Sequence, residues 1–398
     1  MHIVFLCNEY PAPVRGGIGA FTQTLARQLV AHGHRVSVVG VYRNSCTREE
    51  NDEGVRVLRI ASRGPAGIRA IVDNHTLWQV VDALVKTEGV DVIDGPEMSF
   101  WNAPRSIGAP CSLRMNGGHH FFSAAEGRRT RPLRARLEQR SFKRAEHLCA
   151  VTNFVATRTL DLLGYSARPI EILHNPVDTR RFRPRPDVQA VPGRIVFLGT
   201  VCEKKGIRHL IEALPRIRRE VPNAHLIVAG PEWFDADSGD SYTRHLLRTC
   251  NPEALVGVKF VGAVDHDAVP ALLASAEVCA CPSLMESQGI AWAEVMATGR
   301  ALVASSLGPG PEVVRDGVTG LLCDPRDAST LADQVSRLLR NRELRHRLGQ
   351  CARAEAEARF SVTAIATKNE MWFESIAWRG QGGFRATAHR TSANAVIG

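Results

Sequence analysis

The sequence predicts two doubly wound α/β domains facing each other across a cleft. Three observations carry that expectation. Short runs rich in β-branched residues alternate with stretches of helical periodicity, the order that builds parallel sheets from βαβ units. The alternation pauses at a cluster of prolines (Pro169, Pro176, Pro184, Pro186 and Pro192) and then begins again. At 398 residues the chain exceeds one ordinary core and suits two domains.

Ile3–Cys7 reads as the first strand, too short and too soon polar for a signal peptide. A glycine loop, Gly16-Gly17-Ile18-Gly19, follows it. The next helix places Phe21, Leu25 and Leu29 on one face and stops at Gly33. Arg35–Val41 and Val90–Asp94 are strands. The chain then reads as irregular up to Arg128, where a basic helix begins, and Leu148–Val151 is a further strand. Past the prolines, Arg194–Leu198 is a strand and Ile207, Leu210, Ile211, Leu214 and Ile217 repeat at helical spacing. Strands follow at His225–Ala229, Val258–Val261, Val278–Cys281 and Ala301–Ala304, with helices running to about Ala358. The expected division is a domain over 1–175, a hinge over 176–193, a second domain over 194–360, a helix over 361–378 crossing back to the first domain, and a disordered tail over 379–398.

Composition excludes several classes. Apolar residues make up 44% and charged residues 23%, which rules out disorder, collagen and coiled coil for the bulk of the chain. No stretch approaches the ~18–20 apolar residues of a membrane span. Ten cysteines lie scattered without C-x-x-C pairs, which argues against zinc or a disulfide framework and for a reducing, cytoplasmic setting. The net charge of +9 is uneven, with eight basic residues and a single acid, Glu138, between Arg128 and Arg144. This run is either a solvated face or a contact for an anionic membrane surface at its inner face. Its only aromatic is Phe142, so base stacking is poorly supported and no nucleic acid is expected.

The glycine loop allows close backbone approach to a ligand at a helix start, or is simply a tight turn. It is not G-x-G-x-x-G, and no acid ends the second strand, which disfavours a nicotinamide dinucleotide. The sharpest feature is Glu286-Ser287-Gln288-Gly289-Ile290-Ala291 with Glu294 beyond it. One acid lies in a loop and the other on the following helix, and the amides of Gly289, Ile290 and Ala291 begin that helix without partners. A diphosphate-linked sugar suits this arrangement; capping or solvated acids are the plain alternative. In the turn Gly199-Thr200-Val201-Cys202-Glu203-Lys204-Lys205-Gly206, Lys205 is the candidate phosphate contact and Lys204 a solvated one. Asp235, Asp237 and Asp240 read as a solvated turn, and no metal site is expected.

Together these pieces resemble family 4 glycosyltransferases, the retaining, nucleotide-sugar-dependent class with the GT-B fold of two Rossmann-like domains. The resemblance rests on Asn175-Pro176-Val177-Asp178 with Phe182 and Pro184, on Gly199 with Lys205-Gly206, on the E-x7-E pair Glu286/Glu294, and on Gly308-Pro309-Gly310-Pro311-Glu312 followed by Gly317 and Gly320-Leu321-Leu322. It covers nearly the whole chain. It implies an acceptor-binding first domain and a donor-binding second one. Gly16 and Gly17 would line the cleft, Lys205 would neutralise the diphosphate, Glu286 would bind the donor sugar and Glu294 the ribose, while Ser305 and Glu312 would support the nucleotide loop. The donor would be a UDP-, GDP- or ADP-sugar, with no further cofactor. The acceptor would be a glycan or lipid-linked glycan in bacterial polysaccharide or glycolipid assembly. The resemblance further implies same-face attack, with the departing phosphate taking the acceptor proton.

Three departures stand out. Thr200 replaces the usual Arg after the phosphate-turn glycine, with Arg114 a candidate for the missing cation. Asn116 falls where a His is usual, so that either His119 or His120 takes over or Asn116 orients the sugar without proton transfer. Gln288 replaces an aromatic, with a bearing on sugar preference. A sugar-nucleotide epimerase of the same architecture, or a non-catalytic nucleotide-sugar or glycan binder, are the rivals; an epimerase turns over without a second substrate.

Overall fold

The computed structural model describes residues 1–398 except 12–16, 44, 66, 167–168, 235–238 and 381–398. Its first domain is built on an eight-stranded sheet with His2–Leu6 near its centre. On one side lie Arg35–Tyr42, Val55–Ala61 and the edge strand Arg48–Asp52; on the other lie Val92–Pro96, Cys111–Met115, His147–Ala150 and Glu171–Ile172. All neighbours are parallel except the outermost pair, Arg48–Asp52 with Val55–Ala61. The second domain holds six parallel strands in the spatial order Val258–Gly262, His225–Ala229, Arg194–Leu198, Val278–Cys281, Leu302–Ser305, Leu321–Cys323.

The strands are apolar throughout because both faces of each sheet are covered. In His2–Leu6, Ile3 and Phe5 enter one core with Phe21, Leu25 and Phe373, while Val4 and Leu6 enter another with Leu77, Trp78 and Val81. In Arg194–Leu198, Ile195 and Phe197 pack with helix Ile207–Glu220, and Val196 packs with Trp292, Val295 and Met296 of helix Ile290–Ala297. Each fully buried aliphatic or Phe side chain stabilises such a core by about 1.5–3 kcal/mol.

The segment expected to be irregular before Arg128 holds a strand, Cys111–Met115, and a helix, His119–Ala125. The strand eludes a hydrophobic pattern because Ser112 and Arg114 lie within it, yet both are buried. Asp94 resolves the conflict, accepting from Ser112 Oγ at 2.8 Å and Arg114 Nε at 3.0 Å. The basic helix begins at Pro132, not Arg128.

The chain crosses between domains where Val177 N donates to Phe360 O at 2.7 Å and pairs with Ser361. Beyond that point the proline-rich stretch is not a free linker. Phe182 is buried with Trp292 and Met296, and Arg353 Nη1 donates to the carbonyls of Thr179, Phe182 and Ala297. The last helix, Val362–Gly380, lies on the first domain through Phe373 and Ile376, and Asn369 Oδ1 accepts from Arg114 Nη2 at 2.7 Å. All ten cysteines are free and eight are buried, so most act as small apolar side chains. Among the described residues no helix is long and apolar enough to cross a membrane.

Candidate active site

In doubly wound sheets ligands bind beyond the carboxyl ends of strands, where the order reverses. The second sheet reverses between Arg194–Leu198 and Val278–Cys281, and the loops leaving those two strands carry the turn 199–206 and the acidic loop 283–289. Between them lies a cavity of about 300 Å³ lined by Gly199, Thr200, Lys205, Ile290, Ala291 and Glu294, with Gly230, Pro231 and Val264 forming an apolar side.

Lys205 Nζ donates to Glu286 Oε1 at 2.6 Å, and Ser283 Oγ donates to the same oxygen at 2.8 Å. Burial opposes the charge on Lys205, but the Glu286 carboxylate outweighs it and holds the ammonium above its ordinary pKa. The Glu286 carboxylate thus favours the charged form of Lys205. Gly289 starts the helix with φ +83°, and a Cβ there would sit 2.4 Å from the Trp292 ring, so only glycine permits this turn. The amides of Gly289, Ile290 and Ala291 have no acceptor among the described residues. Glu294, on the second turn, faces His266 Nε2 at 3.6 Å, a neighbour that sequence reasoning missed because an exposed loop histidine carries no signal.

Across the cleft, Asn116-Gly117-Gly118 leaves the end of strand Cys111–Met115. Two buried carboxylates hold it. Glu97 Oε1 accepts from Asn116 N at 2.6 Å; Glu138 accepts from His119 N at 2.7 Å and His120 N at 2.9 Å and faces His120 Nδ1. A Cβ on Gly118 would fall 1.8 Å from Glu138 Oε1, so glycine lets the carboxylate reach those amides. Burial, reinforced by the nearby Glu138 charge, pushes the Glu97 carboxyl up to about 8. The lone acid of the basic run is thus a buried loop anchor, a role hinted at only by its isolation among cations.

These contacts separate the candidates for the family's histidine. His120 is committed to Glu138. His119 Nε2 accepts from Arg131 N at 2.9 Å, and burial lowers its pKa, so the ring is neutral and turned toward its own domain. Asn116 Nδ2 donates to Arg114 O at 3.2 Å, leaving Oδ1 without a partner among the described residues.

Three expectations, those for Arg114, Gln288 and Glu312, need correction. Arg114 cannot supply the missing cation: it is 2% exposed and spent on Asp94 and Asn369. Gln288 does not line the cavity; it is buried, accepting from Asn175 N at 2.5 Å and donating to Asn175 O at 3.1 Å, which ties the acidic loop to the interdomain crossing. Glu312 does not turn to the nucleotide loop. It accepts from Asn153 N at 2.8 Å and Phe154 N at 3.3 Å, capping a helix of the first domain, Asn153–Leu163. Lys204 is exposed, as expected, and its ammonium also lies 5.5 Å from the Phe122 ring centre across the cleft. Ser305 Oγ accepts from Leu307 N at 3.0 Å. Gly17 opens helix Gly17–Ala31 with open space where a Cβ would be. Gly16, Asp235 and Asp237 lie outside the described residues, as does the tail from 381 on. Asp240 pairs with Arg244 and Arg248.

A family model described as Glycosyltransferase Family 4 matches residues 15–181, and one described as Glycosyl transferases group 1 matches residues 178–355. A glycogen synthase of Mycobacterium tuberculosis is 28% identical over 92% of this chain and 93% of its own length. A GDP-mannose-dependent alpha-(1-6)-phosphatidylinositol monomannoside mannosyltransferase from the same species is 26% identical over 92% and 96%. Among solved structures, a sucrose-phosphate synthase from Thermosynechococcus elongatus matches with a TM-score of 0.79 at 20% identity, over 95% of this chain and 99% of its own. Anabaena Alr3699/HepE in complex with UDP and glucose matches with a TM-score of 0.75 at 19% identity, over 94% and 99%. At those identities the structures speak for the fold alone.

Proposed function

The chain belongs to the family 4 glycosyltransferases of GT-B architecture, and from that premise we propose that it moves a hexose-type sugar from a nucleoside diphosphate to a glycan or lipid-linked acceptor with retention of configuration. One observation carries the reading: the Lys205 ammonium, helix-start amides without acceptors among the described residues and the Glu294 carboxylate all line one cavity. A diphosphate needs the first two, and ribose hydroxyls suit the third. A lipid-linked acceptor draws support from the relative named for a phosphatidylinositol mannoside. Free cysteines suit a reducing, cytoplasmic compartment.

In this reading the Lys205–Glu286 pair is an exchangeable one. Opposite charges ~4 Å apart at an effective dielectric near 20 attract by about 4 kcal/mol before desolvation. A diphosphate, carrying more charge than one carboxylate, competes for the ammonium and frees Glu286 to accept from donor-sugar hydroxyls. Lys205 and the helix amides then offset the charge that develops on the leaving phosphate, without reorganising. The leaving phosphate takes the acceptor proton on the face it departs from. Asn116, its Oδ1 free, orients the sugar; it has no proton to exchange. Thr200 in place of a second cation leaves more of this charge offset to Lys205 and the amides.

The test is a panel of UDP-, GDP- and ADP-sugars read by thermal shift and then by turnover with and without acceptor. The reading expects one donor to raise the melting point, because it binds only the folded state, and expects turnover to require an acceptor beyond water. Donor conversion without any acceptor points to an epimerase, and binding without turnover to a non-catalytic receptor.

A further inference from the structure

Helix Pro132–Arg144 turns Glu138, Ser141 and Phe142 inward and leaves its cations outward. Several arginines elsewhere are held by carboxylates: Arg56 lies between Glu49 and Glu88, and Arg208 between Glu203 and Glu212. On this helix no cation forms an ion pair with a carboxylate among the described residues; just before it, Arg128 pairs with Glu126. Arg136, Arg140 and Arg144 follow one another at four-residue spacing and repel.

Arg140, Lys143 and Arg144 do not simply fan into solvent. With Arg105, from a different segment, they ring a cavity of about 530 Å³ whose floor includes the buried Ile107 and Cys111. Glu146 is the one carboxylate on the rim, which leaves an excess of three positive charges. Cys111 opens the strand whose far end leads to Asn116. At ~3.3 Å per residue the cavity therefore lies roughly 15 Å from the acceptor loop, on the strand-start side of the first sheet.

We propose that this cavity is a second anion site, taking a phosphate or diphosphate group and separate from the nucleotide-sugar cleft. A compact multiply charged anion matches the charge excess, where a lone carboxylate does not, and its oxygens suit the planar forks of Arg105, Arg140 and Arg144. The group can be a soluble phosphate or the headgroup of an anionic lipid, which is the same chemistry from two sources.

The experiment compares wild type, Lys205→Ala and the triple variant Arg140→Gln/Lys143→Gln/Arg144→Gln. One arm reads thermal shift with inorganic pyrophosphate; the other reads co-sedimentation with phosphatidylglycerol-containing vesicles against pure phosphatidylcholine. The proposal expects a pyrophosphate shift of ~2 °C or more that survives in Lys205→Ala and is lost in the triple variant. Alternatively, it expects vesicle binding reduced at least ~10-fold in the triple variant, steeply salt-dependent; that result assigns the lipid source and the first the soluble one. Donor-induced stabilisation retained by the triple variant shows that it folds. Equal behaviour of wild type and triple variant in both arms overturns the site. So does a pyrophosphate shift lost only in Lys205→Ala.

Discussion

One oxygen of Glu286 is shared by Lys205 and Ser283, and under the proposed function its replacement is expected to disturb turnover more than folding. With the donor that stabilises the wild type, Glu286→Ala is expected to keep a melting shift while turnover falls by at least ~100-fold. Unchanged turnover removes Glu286 from the chemistry. Glu97 predicts a pH effect. Its ordinary carboxyl pKa of 4.5 is raised to about 8 in the fold, so the folded state holds a proton that the unfolded chain gives up. The stability it contributes is complete below about pH 4.5 and is lost as pH rises through about 8. Denaturant midpoints of Glu97→Gln, which cannot titrate, are expected to fall less than those of the wild type over that window; parallel profiles exclude the effect. Neither buried carboxylate announces itself in sequence, because what marks them is the amides they meet 19 residues away.

At the level of elements, glycines divide into those the geometry demands and those it does not. Gly289→Ala brings a Cβ to 2.4 Å from Trp292, whose indole N–H is itself anchored on Cys281 O at 2.9 Å, and it forces φ +83° on a side chain. A loss of at least ~1 kcal/mol of stability and of donor-induced melting shift is expected. Gly17→Ala meets nothing within 4 Å, and its melting point should stay within a few degrees of wild type. Apolar periodicity revealed the central strands and helix Ile207–Glu220. It missed Arg48–Asp52, a charged sheet edge, and Cys111–Met115, whose arginine is buried only because Asp94 and Asn369 receive it. A pattern of hydrophobic spacing registers water-facing and core-facing positions, and a neutralised buried charge breaks that code.

For the whole molecule, the second domain is clasped to the first by contacts outside the cavity. Glu312 caps helix Asn153–Leu163, Thr152 Oγ1 donates to Ser287 O at 2.8 Å, and Gln288 grips Asn175. Hydrogen bonds to a charged acceptor are worth about 1.5–3 kcal/mol each, enough to bias domain closure. Glu312→Ala is expected to raise the donor KM several-fold with a smaller change in kcat and to enlarge the radius of gyration in small-angle scattering. Equal radii and an unchanged KM exclude the clasp.

The order of apolar runs, the prolines that divide them and the spacing of Glu286, Glu294 and Lys205 are properties of the chain read locally, and they sufficed for two wound domains and for the grouping of those three residues at one cavity. Which way Arg114, Gln288 and Glu312 point was decided by partners more than 100 residues distant: Asn369, Asn175 and Asn153. A polar side chain takes the nearest partner that satisfies it on burial, and nearness is created only when the two sheets, the crossing strand and the returning helix have come together.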